Sequence, residues 1–341
     1  MRPNSSPELI ASAEDHVGDR FKHSREQPTD ERALATYRWS FGAPGRLGAA
    51  ASAKLSEMRL GEFGVWTTYR AIGEQNAGEA ARLIEDLGFG TLWLGGSPQL
   101  RALRPLLEAT DRLVVATGIL NVWASEPERV ARDFAELEAR FPGRVLLGIG
   151  IGHPEATSHY RKPLAAMQAF LDGLDAATVP VPRTRRCLAA LGPKMLTLSA
   201  KRSLGAHTYF VPVEHTRAAR ERLGATPILA PELACVLNDD VESARGKARS
   251  YAALYLGLRN YTNNLLNHGF DEHDIANGGS DRLIDAIVPH GSSEKIAAAA
   301  RQHLSAGADH VCLQIAGVEG IPRSEWTALA SALGSGSPHR A

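Results

Sequence analysis

What most limits this chain is a rhythm that begins at Leu60, where short apolar runs alternate with amphipathic helical stretches eight times over. The runs are LGEFGVW (60–66), GTLWLG (90–95), LVVATGI (113–119), RVLLGIG (144–150), RCLAALG (186–192), AHTYFV (206–211), ILAPELACVL (228–237) and HVCLQIA (310–316). Eight strand–helix units in succession predict an α/β fold of the (β/α)8 TIM-barrel type. The helices carry their own signals. After the third strand, Ser125 and Glu128 read as a capping box, followed by Val130, Phe134, Leu137 and Phe141 on one face. Another helix places Ala80, Ile84 and Leu87 on one stripe and ends at Gly88, the expected C-terminal cap. Between strands seven and eight, residues 241–307 leave room for about three helical segments, including LRNYTNNLLNHGF (258–270), an insertion long enough to cover the barrel mouth.

The barrel is expected to span 58–335. Residues 1–57 are rich in polar and small residues with little periodicity, so they are expected to be a disordered extension, with Met58 as an alternative start. Residues 336–341 are expected to be a flexible tail. Lys plus Arg equals Asp plus Glu, 38 each, so charge gives no support to a nucleic-acid partner. Cys187, Cys235 and Cys312 lie far apart inside apolar runs, which suits buried thiols in a cytoplasmic protein rather than disulfides or a metal site. No apolar stretch approaches the ~20 residues of a membrane helix.

Barrel active sites sit at the C-terminal ends of the strands. Those positions here are rich in glycine and poor in carboxylates, without the acid pair of a glycosidase or the His/Asp/Glu cluster of a catalytic metal. GRVLLGIGIGHPEA (143–156) places Gly148, Gly150 and Gly152 at every second position. A dinucleotide fingerprint needs G-x-G-x-x-G, and the last position of that spacing holds His153, followed by Pro154. What the strand ends offer is bare backbone, suited to a flat ring or to a phosphate at a helix start. In ALGPKMLTLSAK (190–201), Gly192 and Pro193 open a helix and Lys194 adds charge, either an anion site or an ordinary turn with a solvated lysine. In ATGILNVWASEP (116–127), Gly118 permits either a bulge or a plain turn.

Taken in order, LIEDLGFGTLWLG (83–95), LVVATGIL (113–120), FPGRVLLGIGIGH (141–153), LAALGPKML (188–196), SDRLIDAIVPHG (280–291) and AGADHVCLQ (306–314) resemble the luciferase-like monooxygenase superfamily. The resemblance is greatest to its branch of oxidoreductases that use the deazaflavin coenzyme F420. It implies a coenzyme at the strand C-termini and a non-prolyl cis peptide in a bulge after strand three, matching Thr117, Gly118 and Ile119, with Asn121 just beyond. It implies that Gly148, Gly150 and Gly152 finish strand four under the ring, and that Gly192, Pro193, Lys194 and Met195 hold the phosphate. His153 then falls on the substrate side, where sugar-phosphate-oxidising relatives carry a catalytic glutamate, and is the candidate catalytic residue.

Those relatives also carry an Asp–His pair after strand two, where this chain has Gly95–Gly96. Their alcohol oxidation is thereby put in doubt, and a reductive role, or one whose acid/base group lies elsewhere, is favoured. The expected function is hydride transfer between F420 and a small organic substrate. The alternatives are an FMN-dependent monooxygenase of the same superfamily and a non-catalytic flavin or deazaflavin binder. A homodimer stays open. Secondary candidates are Trp66 and Trp93 (ring contact or barrel packing), His159 and His290, the Tyr160–Arg161–Lys162 loop, and Asn260, Tyr261, Asn263 and Asn264 in the insertion.

Overall fold

The structure of the protein, a computed structural model, describes Met58 and residues 60–153 and 160–335. The expectations for residues 1–57, Pro154, His159 and the 336–341 tail lie outside the described residues. All eight expected strands form, with two short additions. In chain order they are β1 (Phe63–Thr67), β2 (Thr91–Leu94), β3 (Val114–Thr117), β4 (Leu120–Asn121), β5 (Val145–Gly150), β6 (Arg186–Ala189), β7 (Gly205–Thr208), β8 (Ile228–Leu237), β9 (His290–Gly291) and β10 (Val311–Ile315). Neighbours pair in parallel from β10 through β1, β2, β3, β5, β6 and β7 to β8, and β8 pairs with β10 to close the barrel.

Helices of seven residues or more are α1 (Ala77–Asp86), α2 (Pro127–Arg140), α3 (Pro163–Ala176), α4 (Pro193–Arg202), α5 (Val213–Leu223), α6 (Val241–Leu256), α7 (Arg259–Leu266), α8 (Asp281–Ile287), α9 (Ser293–Ser305) and α10 (Arg323–Leu333). Parallel strands covered on both faces must be apolar on both, which is why they read as unbroken runs. Their side chains divide between two cores. Phe63, Val65, Leu92, Leu94, Val115, Leu147 and Ile149 pack outward against helices, including the α2 stripe of Val130, Phe134 and Leu137. Trp66, Trp93, Ala116, Leu146, Cys187 and Cys312 fill the barrel. All three cysteines are buried and free.

Trp93 settles as barrel packing. Its indole is fully buried, donates from Nε1 to His310 Nε2 (3.1 Å) and stacks on His207 at 4.4 Å. His310 Nδ1 donates in turn to the Gly61 carbonyl at 2.8 Å, so both ring nitrogens are used in the neutral form. Burial pushes His207 and His310 down to about 4.

Two local expectations are corrected. α2 starts at Pro127, with Glu126 as its N-cap, so Ser125 and Glu128 do not form a capping box. Proline favours the first helical position and holds the residue before it extended; Glu128 accepts the Thr178 N–H instead. The 241–307 stretch holds six helical segments, not about three: α6, α7, a turn at Glu272–Ile275, a 3-10 turn at Ala276–Gly278, α8 and α9. Repeated caps divide it: Asp240, Asp271, Ser280 and Ser292 each accept a backbone N–H of the helix they open. The Gly88 cap is as expected: φ is +84°, and Phe89 N–H returns to the Ile84 carbonyl. Among the described residues no helix is long and apolar enough to cross a membrane.

Candidate functional site

At the C-terminal end of β3 the ladder slips. Ala116 pairs with Leu146 but Leu120 with Ile149, so four steps on one side answer three on the other. This is a bulge, and the Gly118–Ile119 peptide within it is cis. The bulge leans on β5. A Cβ on Gly148 would stand 1.9 Å from the Thr117 carbonyl oxygen, and one on Gly150 would stand 2.5 Å from Ile119 Cδ1. Thr117 Oγ1 donates to the Gly148 carbonyl at 2.7 Å. The alternating glycines are therefore needed first by the neighbouring strand. Gly152 (φ +58°) follows, with Asn121 Nδ2 3.3 Å from where its Cβ would lie. Asn121 Oδ1 accepts from Trp123 N–H, and Trp123 Nε1 donates to the Ile151 carbonyl, so the loops after β4 and β5 are tied together.

Trp66 covers the same floor. Its indole would collide with a Cβ on Gly95 (2.2 Å) and lies with Nε1 2.8 Å from the Cβ position of Gly118. That Nε1 is buried and meets no acceptor among the described residues.

The opposite wall is crowded and polar. Tyr209, just past β7, meets the hydroxyls of Tyr251 (2.9 Å) and Tyr255 (2.8 Å) from α6 and donates to Gln314 Oε1 of β10 at 2.8 Å. Below them Glu232, in the middle of β8, is 1% exposed. Its carboxyl meets only Phe210 N–H and the Tyr251 hydroxyl among the described residues, each at 3.3 Å. Burial pushes it up to about 8. Sequence reasoning missed this group, although Glu232 is the one charged residue in ILAPELACVL.

His153 stands at the rim between the walls. Its Nδ1 donates to Asn260 Oδ1 of α7 at 3.1 Å, and its ring lies 5.2 Å from that of Tyr261. Of the insertion candidates, Asn260 and Tyr261 therefore meet His153, Asn263 is exposed and Asn264 is buried. His290 is buried, donating to the Val288 carbonyl. Tyr160 lies 6.0 Å from the Trp123 ring, with Arg161 and Lys162 exposed.

One strand further round, α4 begins as the sequence suggests, with Gly192 as N-cap and Pro193 first in the helix. The Cβ position of Gly192 has nothing within 4 Å, Lys194 is exposed, and Met195 N–H returns to the Gly192 carbonyl. Beside it runs a cleft of about 470 Å³ lined by Gln168, Pro193, Lys194, Thr197, Lys201 and Arg222. Thus Thr117, Gly118, Ile119, Asn121, Gly150 and Gly152 come together around the bulge, with Gly192 to Met195 forming a separate exposed helix entrance.

The family described as luciferase-like monooxygenase matches residues 58–310. A Mycobacterium tuberculosis protein provisionally named a coenzyme F420-dependent oxidoreductase is 23% identical over 255 residues, 59% of this chain and 73% of that protein. Among solved structures, an F420-dependent secondary alcohol dehydrogenase in complex with an F420–acetone adduct matches with TM-score 0.65 and 14% identity, covering 81% of this chain and 99% of that one. The FMN-bound oxygenating constituent of 3,6-diketocamphane monooxygenase from Pseudomonas putida matches with TM-score 0.59 and 12% identity, covering 79% of this chain and 95% of that one. At such identities the structural likeness concerns the fold.

Proposed function

Because the chain belongs to the luciferase-like monooxygenase family, we propose that it is an oxidoreductase working with the deazaflavin coenzyme F420 and a small organic substrate. The observation that carries this reading is the bulge at the C-terminal end of β3, accommodated by the glycines of β5 and packed against Trp66 at Gly118. The N-terminus of α4, open at Gly192 with Lys194 beside it, suits the phosphate. When bound, the coenzyme supplies the hydride.

The protein's own residues supply placement and proton transfer. His153, oriented by its bond to Asn260, faces the substrate from the rim and exchanges a proton with it. Tyr261 and the rings beneath it shield the site from water. A base at the end of β2 has no room, since Trp66 fills the space that a side chain at Gly95 would take. This supports a reductive role, or one whose acid/base group lies elsewhere, and of the two we take reduction as the reading.

FMN is the second reading, since the same floor and helix entrance accommodate it. The feature that favours F420 is the cleft beyond the entrance, where Lys201 and Arg222 continue the positive charge of Lys194 and suit a longer anionic tail. Fluorescence titration with F420 and FMN in parallel tests the choice. We expect F420 to bind at least about tenfold more tightly; tighter FMN binding, or FMN retained through purification, would overturn it. Oxidation of reduced F420 in the presence of small carbonyl compounds separates an enzyme from a coenzyme-binding protein.

A further inference from the structure

Among the described residues the buried carboxyls are Asp274 and Glu232, and they are treated in opposite ways. Asp274 is bonded to Arg282 and Ser280, which hold it down to about 2. Among the described residues no Lys, Arg or His pairs with Glu232; the titratable groups that face it are the hydroxyls of Tyr209, Tyr251, Tyr255 and Tyr261 and the thiols of Cys235 and Cys312. None of these offers a positive charge. A carboxylate buried without a cation is strongly disfavoured, and two weak neutral bonds do not offset that cost. At neutral pH the group is a carboxylic acid with a proton to give.

The route upward is continuous. Glu232 Oε1 meets Tyr251 Oη at 3.3 Å, Tyr251 Oη meets Tyr209 Oη at 2.9 Å, and Tyr209 reaches Gln314 at 2.8 Å. Glu232 is shut away while Tyr209, Tyr251 and Gln314 keep accessible surface. The rim makes this route useful. In neutral His153 the single ring proton is committed to Asn260 Oδ1. With that proton engaged, a second proton source in the barrel mouth has a use.

We propose that Glu232 is the proton store of the barrel mouth, handing its proton through the hydroxyls of Tyr251 and Tyr209 to the substrate. The inference rests on the reductive function proposed above. The coenzyme, when bound, would supply the hydride pair for the new C–H bond; as the substrate's C=O or C=C π bond breaks, its electron pair takes the proton of Tyr209 Oη, which leaves Gln314 Oε1 to give it. Tyr251 re-protonates Tyr209, Glu232 re-protonates Tyr251, and the Glu232 carboxylate recovers its proton from solvent after product leaves. Glu232 is a positioning and supply residue, and Tyr209 is the group at the substrate.

The test compares wild type with Glu232→Gln, which keeps shape but holds no acidic proton, and Tyr251→Phe, which keeps Glu232 and cuts the route. Infrared difference spectra without coenzyme should show a neutral-carboxyl band in wild type at pH 7, lost near pH 8 and missing from Glu232→Gln. Oxidation of reduced F420 is then followed with acetone and 2-cyclohexenone as probe acceptors. The ratio of the rate at pH 8 to that at pH 6 should fall about tenfold or more in both variants, within the span of general acid catalysis. Tyr251→Phe should retain the carboxyl band. Absence of the band from wild type, or a wild-type rate ratio in Glu232→Gln, would overturn the store. A wild-type ratio in Tyr251→Phe would overturn the route. Failure of wild type to bind F420 in the separate titration would overturn the function itself, and the band is read independently of it.

Discussion

The two walls of the barrel mouth are made from contrasting materials. From β2 to β6 the positions turned inward are Gly95, Gly118, Gly150 and Ala189, with Trp66 packed on the first two, while across from them stand Tyr209, Glu232 and Gln314. The first wall gives up side chains so that the β3 bulge can lie against β5. The second gathers hydroxyls, an amide and an acid, and α6 seals it from above with Tyr251 and Tyr255. Shape is set on one side, and our proposal puts proton chemistry on the other. A substitution should therefore have different consequences on the two walls.

The largest effect is expected at the rim between them. His153→Ala should keep F420 affinity and lower turnover at pH 6 by roughly 10²–10⁴, and by less at pH 8, where the floor acid continues to supply protons. Equal losses at both pH values would mean that the walls do not share the work. Next comes the bare wall. Gly148→Ala drives a methyl group to 1.9 Å from a backbone oxygen and should cost about 3 kcal/mol of stability. Gly192→Ala, with nothing within 4 Å, should be nearly neutral. Denaturant melts of the pair decide this, and similar midpoints would remove the steric account of the glycine run.

Smaller again is Lys194→Ala, which should weaken F420 binding roughly tenfold to a hundredfold at low salt without changing the melting temperature. Unchanged affinity would leave that helix entrance without a ligand. The smallest effect is on stability between pH 6.5 and 8, about a few degrees in Tm. Burial holds His207, His215, His303 and His310 at about 4, so below pH 6.5 the unfolded chain binds protons that the fold refuses, and stability falls as pH drops toward 4. Glu232, raised to about 8, works the other way: the fold keeps a proton that the unfolded chain has lost, so its contribution declines as pH rises from about 4.5 to 8. With four histidines against one acid, Tm should peak near pH 6.5. A Tm still rising from pH 6.5 to 8 would contradict the buried neutral carboxyl.

The bare wall was legible in the sequence because its signals are local. Apolar runs ending in glycine mark parallel strands, and Thr117–Gly118–Ile119 and Gly192–Pro193 each lie within a few residues. The polar wall was not legible, because it joins β7, β8, β10 and α6: Tyr209 and Gln314 are bonded across 105 positions of sequence. Glu232 gave the one available hint, an acid inside an apolar strand. Ser125 misled for the opposite reason: a plausible local cap was overruled by Pro127, two residues on.

β8 and β9 suggest how such a molecule could diversify. Val236 and Leu237 pair with His290 and Gly291, so the chain departs from the barrel and returns to it at adjacent rungs. Everything between hangs from this narrow neck. Once the ends of a loop are fixed side by side, each doubling of its length costs only about 0.6 kcal/mol more in closure entropy. The excursion that brings Asn260 and Tyr261 to the rim could thus lengthen, shorten or be exchanged while the strands beneath keep their register. Evolution could alter what this barrel acts upon by editing a single appendage.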